Sequence, residues 1–366
     1  MTVLGQRALN RALLHRQWLA PRASAGVSAV DVAEHVAGLQ AQAGDPPYYQ
    51  LFTRIPGFRP ADLSGLLTER TVVRVVLMRG TIHLVSARDA LRLRAVMQPY
   101  LDKTLFHSQY GRKLPGIDPA EVAAAARKAL VDGPLHNDDL GARLTESFPG
   151  RDGNSLAYLA RSLLPLVQVP PRGLWGESGG LVYAHADQWL GAESATDPAP
   201  DDVILRYLAA YGPATVQDFQ KWSCLTGTKA AFTRLRPRLV TYRNEHGKEL
   251  YDLPDAPLPD PDAPVEPMLL APFDNALLSH GDRTRIIDKP AEKRVFTHNG
   301  MVLGTILLDG FVAGQWRVTR AKGRAEAELT PFAPLGKRDR AVLEQRAEEL
   351  LDFAADEGAA REVRWA

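Results

Sequence analysis

Two glutamines two residues apart are the first feature of this sequence with chemical potential. Gln40 lies four residues after Val36 and eight after Val32, so it prolongs an apolar helical stripe. An amide there carries two N–H donors and a carbonyl acceptor that need partners, and it does not titrate. Gln42 follows at i+2. On a continuing helix the two amides point to nearly opposite sides, whereas in extended backbone they share one side. The Gly44-Asp45-Pro46-Pro47 break leaves room for the extended arrangement at the mouth of a cleft, because consecutive prolines remove donors and restrict the residue before them. Tyr48, Tyr49 and Phe52 follow and offer either a stacking surface or core packing. The competing reading makes Gln40 a helix-end cap and Gln42 a solvated residue. On spacing alone the helix-end reading is the commoner one for so short a motif.

The second feature is the distribution of charge. The chain balances 44 basic against 43 acidic residues, for a net +1, which excludes a wholly cationic nucleic-acid coat protein. Locally the balance fails. From Arg70 to Lys113, nine basic residues (Arg70, Arg74, Arg79, Arg88, Arg92, Arg94, Lys103, Arg112 and Lys113) face only Asp89 and Asp102. Glu249 to Asp274 holds seven acids and no Lys or Arg. Beyond it, Arg283, Arg285, Lys289, Lys293, Arg294, Arg317, Arg320, Lys322 and Arg324 outnumber Asp282, Asp288, Glu292 and Asp309. Two basic regions separated by an acidic one suit a phosphate-binding surface on one side. Solvated arginine-rich helix faces are the alternative.

Several chemistries drop out. The single cysteine, Cys224, excludes a disulfide framework and a cysteine-built zinc site. The nine histidines lack the close pairs of metal sites, and no P-loop, dinucleotide fingerprint or Gly-x-Ser-x-Gly elbow occurs. No metal and no cofactor are expected. No apolar run approaches the roughly 20 residues of a membrane span, and the N-terminus lacks a signal-peptide core. A cytoplasmic protein is expected.

The elements that must position these residues follow from pattern. At 366 residues and 40.1 kDa, with 45% hydrophobic and 24% charged residues, the chain suits two or three folding units. Helices are expected over Leu4–Leu19, after the Ser28 cap with Asp31 in the first turn, and over Pro60–Arg70. Two β-branched runs, Val72–Met78 and Thr81–Val85, then meet at Arg79-Gly80 as a hairpin. Three helices and a hairpin is the winged-helix order. The order returns as helices over Asp118–Val131, Asp138–Ser147 and Ser155–Leu164, with extended stretches at Leu166–Val169 and Gly180–Ala184. It returns again as helices at Asp202–Tyr211, Val216–Ser223 and Lys229–Leu235 with strands at Val240–Arg243 and Glu249–Leu253. Expected units are therefore 1–115, 116–198 and 199–255. A stiff acidic connector with Pro257, Pro259, Pro261, Pro264 and Pro267 opens the last segment, 256–366. That segment is β-rich, with Met268–Ala271, Arg294–Phe296, Gly300–Leu308, Phe311–Arg317 and Ala325–Leu329 as strands, an Asp309-Gly310 hairpin and a final helix over Asp339–Glu357. The fold class is α+β.

Longer matches add to this reading. Val72–Val85, VVRVVLMRGTIHLV, resembles the wing signature of the AlkZ-type winged-helix DNA glycosylases, and Gly38–Gln42 resembles their Gln-x-Gln element. RYLAAYGPATVQDFQKWS (Arg206–Ser223), LLAPFDNALLSHGDR (Leu269–Arg283) and LDGFVAGQW (Leu308–Trp316) are similar to further blocks of that family, in the same order. The resemblance implies three tandem winged-helix motifs in a C-shape around a basic cleft, with a C-terminal β-rich, barrel-like module. It implies a monofunctional DNA glycosylase, a monomer whose partner is double-stranded DNA carrying alkylpurine lesions or crosslinks. Such an enzyme excises N7-alkylated purines, unhooks interstrand crosslinks and protects against genotoxic alkylating natural products. One branch has Asp in place of the second glutamine; Gln42 sets this chain with the other.

On that resemblance Gln40 and Gln42 are the catalytic residues. An N7-alkylated purine is a cationic, good leaving group, so excision needs a placed water and a stabilised oxocarbenium-like sugar more than a strong acid. An amide oxygen can orient water, and its dipole favours a nearby cation. A base tethered across both strands resists flipping, which favours an open cleft. Arg70, Arg74, Arg79, Arg88, Arg283 and Arg285 are the expected phosphate contacts. A sequence-specific winged-helix regulator and a non-catalytic damage-binding protein remain the alternatives from another class.

Overall fold

The structure, a computed structural model, describes residues 2–366. Its first segment runs β1 (Val3–Leu4), α1 (Gln6–Arg16), α2 (Ala29–His35), β2 (Leu39–Gln40), α3 (Pro46–Arg54), α4 (Pro60–Thr68), β3 (Val72–Val76), β4 (Ile82–Ser86) and α5 (Ala87–Thr104). The second runs α6 (Pro119–Ala129), β5 (Leu135–His136), α7 (Asn137–Ser147), α8 (Gly153–Leu163), β6 (Leu166–Gln168), β7 (Val182–His185) and α9 (Ala186–Leu190). Then come α10 (Asp201–Tyr211), α11 (Val216–Ser223), α12 (Lys229–Leu235), β8 (Val240–Asn244) and β9 (Glu249–Asp252). The last part holds β10 (Met268–Leu270), α13 (Asn275–Leu278), α14 (Lys289–Val295), β11 (Gly304–Leu308), β12 (Phe311–Ala321), β13 (Arg324–Pro331), α15 (Lys337–Ala354) and β14 (Ala360–Trp365).

Local chemistry sets many of these boundaries. Ser28 and Asp31 form a reciprocal capping box that starts α2, and Thr215 and Asp218 do the same for α11. Asp309 and Gly310 both take positive φ and pair Leu308 with Phe311, the tight hairpin expected of Asp-Gly. Elsewhere the sequence misleads. Pro46 and Pro47 do not break a helix; they open α3, where the missing N–H groups would have no intrahelical acceptor anyway. Arg294–Phe296 is not a strand, because Asp288 caps a helix that carries Val295 into the core.

The fold is mixed α and β, with three sheets. The largest orders its strands β2-β4-β3-β6-β7-β5, so the hairpin of the first segment and the strands of the second form one surface, joined where Arg74 and Val75 pair with Gln168 and Val167. A three-stranded sheet, β1-β8-β9, ties the N-terminus to the third segment. The five C-terminal strands run β10-β11-β12-β13-β14 in an open sheet, which corrects the expected barrel-like module. The reason is β14. It joins β13 in parallel, and a parallel neighbour needs a crossover, here α15. That helix packs Leu343, Ala347, Leu350 and Leu351 against Ile306, Trp316, Ala327 and Leu329, so one face is sealed by a helix and the edges need not meet.

The principal core is shared. It runs from Leu13 and Leu14 through the β3–β4 hairpin and α5 to Tyr207, Phe219, Trp222, Phe273 and Leu307. A second core lies among α6, α7 and α8. Two buried ion pairs bolt distant segments together: Arg16 to Asp252 at 2.6 and 2.8 Å, and Arg54 to Asp274 at 2.7 and 2.9 Å. Among the described residues no helix is long and apolar enough to cross a membrane.

Candidate active site

Helix α2 ends because Ala37 and Gly38 take φ values of 52° and 104°, turning the chain out of helical geometry. A Cβ on Gly38 would lie 2.8 Å from Val85 Cγ1, so glycine is required by conformation and by space. The chain then enters β2, where Leu39 pairs with Leu84 and Gln40 with His83, and Ala41 N–H donates to Ile82 O at 2.7 Å. The Gln40–Gln42 segment is therefore extended and not a helix end. Three side chains clamp its backbone: Asn275 donates to Gly38 O at 2.7 Å, Gln50 to Gln40 O at 3.2 Å, and Arg74 to Ala41 O at 2.8 Å.

Both amides are held by their oxygens. Gln40 is buried, and its Oε1 accepts from Arg79 Nη2 at 2.8 Å. Gln42 is exposed, and its Oε1 accepts from the Ile82 N–H at 3.1 Å. Arg79 stands at the tip of the β3–β4 hairpin with a left-handed φ of 59°. Its Nη1 donates to Trp222 O at 2.9 Å, at the end of α11. Its Nη2 also lies 3.3 Å from His83 Nε2. His83 is fully buried; desolvation and the neighbouring Arg79 charge push its pKa down to about 3, so it is neutral at physiological pH. With Nδ1–H donating to Thr81 O at 3.0 Å, Nε2 is left as the acceptor facing Arg79. Burial lowers Arg79 to about 10, which leaves it cationic. Besides His83, the titratable groups facing it include Tyr211, Cys224, Arg283 and Tyr100, none of them a carboxylate.

The six arginines expected to meet phosphate fall into different places. Arg79 meets Gln40. Arg70 is exposed, stacked 3.8 Å over the Trp189 ring, and Arg88 is exposed beside Glu34. Arg283 is half-buried, pairs with Glu292 at 2.6 Å and lies over Phe296. Arg74 and Arg285 are corrections. Both are buried, Arg74 between Ala41 O and Arg172 O and Arg285 against Pro213 O, so neither reaches a phosphate on the surface. Tyr48 and Tyr49 are core: Tyr48 bonds Gly173 O and packs on Trp175, and Tyr49 sits among Trp175, Trp316 and Phe353.

Reasoning from sequence missed His83, Asn275 and Arg320. The first two fix the strand and Arg79. Arg320, on β12, pairs with Asp45 and lies 4.2 Å over the Trp175 ring, tying the segment after Gln42 to the C-terminal sheet. The Arg79–His83 spacing across a tight turn was the available signal. A cleft of about 990 Å³ is lined by Thr215, Asp218, Lys229, Lys248 and Lys289 and includes neither glutamine. Among the described residues no cluster of three His, Cys, Asp or Glu could hold a metal ion.

Comparison with known proteins gives three findings. A family model described as DNA glycosylase AlkZ-like matches residues 33–353. An interstrand DNA cross-link repair glycosylase of Streptomyces sahachiroi is 25% identical over 350 residues, covering 87% of this chain and 88% of that protein. The solved structure of the Streptomyces sahachiroi DNA glycosylase AlkZ superposes with a TM-score of 0.79 at 21% identity, covering 100% of both chains.

Proposed function

The chain belongs to the AlkZ-like DNA glycosylases, and we propose that it hydrolyses the N-glycosidic bond of N7-alkylated purines in duplex DNA and unhooks interstrand crosslinks, as a monomer acting in the cytoplasm on the nucleoid. The observation that carries this reading is the Leu39–Gln40 strand, continued by the Ala41 N–H bond to Ile82 O, with the Gln40 and Gln42 amides both anchored through oxygen on the β3–β4 hairpin. It lies within the segment the family model covers.

The chemistry asked of these residues is modest. Alkylation at N7 already weakens the bond between C1′ and the purine, so the site must place water and favour the charge that develops on the sugar. Neutral amides do this without adding a charge that would bind the cationic lesion too well in its ground state. With water as the nucleophile, the product is an abasic site and the strand is left intact. The architecture we read is three winged-helix units, 1–115, 116–198 and 199–255, arranged in a C around the DNA, with Arg70, Arg79 and Arg88 toward the duplex. A self-resistance role against alkylating natural products is part of the same proposal, supported by the crosslink-repair name of the relative.

The test is an end-labelled duplex carrying one N7-alkylguanine. Alkali-labile strand breaks at that base after incubation are expected, and without alkali the strand stays intact. A shift in mobility with no break would make the protein a binder only.

A further inference from the structure

We infer that Gln40 acts through its nitrogen: Arg79, itself set by His83, pins the amide oxygen, and the NH2 group is aimed as a hydrogen-bond donor at an acceptor atom of the damaged nucleotide. This deepens the glycosylase reading and rests on it. The argument is one of donors and acceptors. A guanidinium only donates, so the Gln40 atom 2.8 Å from Arg79 Nη2 must be oxygen, whichever way an amide could be drawn. Arg79 is itself held at three points: the Trp222 carbonyl, the His83 Nε2 acceptor and the Gln40 oxygen. His83 is set by Thr81 O. The relay thus runs Thr81, His83, Arg79, Gln40, and it leaves one group unspent. The Gln40 Nε2 donates to no protein group among the described residues, yet it is not sealed from solvent, since it is absent from the enclosed atoms that lack a partner.

Gln42 is arranged differently. Its oxygen takes one backbone N–H and the side chain is exposed, so its second lone pair is open to water. The two glutamines therefore divide the work. The C1′–N9 bond breaks with both electrons leaving on the purine; water oriented by Gln42 bonds C1′ and releases its proton to solvent. Gln40 donates to an acceptor atom of the departing purine, where electron density builds as the C1′–N9 pair withdraws onto the ring. Arg79 and His83 are positioning residues and touch no reacting atom.

Gln40→Glu separates this from water placement by both amides. The carboxylate keeps the acceptor for Arg79 and removes the donor. Single-turnover excision at saturating protein is expected to fall to the Gln40→Ala level, roughly a hundredfold below the parent, with duplex affinity and melting temperature held near the parent's. A Gln40→Glu rate nearer the parent than Gln40→Ala overturns the donor assignment. If Gln40→Ala itself cuts at the parent rate, the catalytic reading of the pair fails first, which is a different result. A double-mutant cycle tests the relay: Arg79→Met should slow the parent about tenfold or more yet add nothing in the Gln40→Ala background. Additive losses would mean that Arg79 acts elsewhere.

Discussion

Arg54 and Arg79 are both drawn in among apolar side chains, and they are solved in opposite ways. Arg54 makes a two-point ion pair with Asp274, both fully buried, while Gln17 and the Gln50 carbonyl take further hydrogens. Arg79 has no carboxylate; it spends its donors on an amide oxygen, a backbone carbonyl and a neutral histidine. A paired buried charge is a bolt between segments. Arg79, with no carboxylate, stays a cation whose donors orient the Gln40 amide. The difference separates a charge that joins segments from one that sets the orientation of a polar side chain.

The comparison is broken most severely at Asp274. Asp274→Ala would leave Arg54 without its counter-ion and remove the α13 cap, with an expected stability loss of about 3–5 kcal/mol by denaturant unfolding. Arg79→Met leaves only neutral partners behind and should cost about 1 kcal/mol. Equal losses would show that the two arginines are the same kind of element.

Acid sharpens the same contrast. His83 and His280 both titrate near 3 in the folded protein, well below the ordinary value of about 6.5. The unfolded chain takes up protons that the native one refuses, so their contribution is intact above pH 6.5 and is lost as pH falls from there toward 3. Melting temperature should already decline between pH 6.5 and about 4.5, before the carboxylates titrate. A flat profile from pH 7 to pH 4.5 would contradict the buried neutral histidines.

How far the sequence could go depended on whether the deciding interaction was local. The Ser28–Asp31 cap, the Asp309-Gly310 turn and the β3–β4 hairpin depend on neighbours in the chain and were legible. Helix α5 was not, although Ser86 caps it with Asp89 in the first turn, because Arg88, Arg92 and Arg94 obscure its apolar stripe and Pro99 lies inside it. Strand β14 gains its partner only through α15. The extended Gln pair was one of two readings until Ala37 and Gly38 were seen to leave helical backbone. Counting arginines located a basic region, but burial decided the role of each: Arg74 and Arg285 became internal clamps, whereas Arg70 and Arg88 stayed outside.

The smallest effect belongs to those outer two. Arg70→Glu and Arg88→Glu should each weaken duplex binding severalfold and lower the slope of log affinity against log salt by about 1, without changing the single-turnover rate at saturation. Arg285→Met should leave that slope alone and lower stability. A slope unchanged in both surface variants would move the duplex to another face.

The most direct test is release of free alkylpurine, quantified by mass spectrometry in single turnover, from a duplex with one N7-alkylguanine. The account predicts release by the parent, and release about a hundred- to thousandfold slower by Gln42→Ala at unchanged duplex affinity and melting temperature. Release by Gln42→Ala at the parent rate would contradict it and place the chemistry away from the Gln40–Gln42 strand.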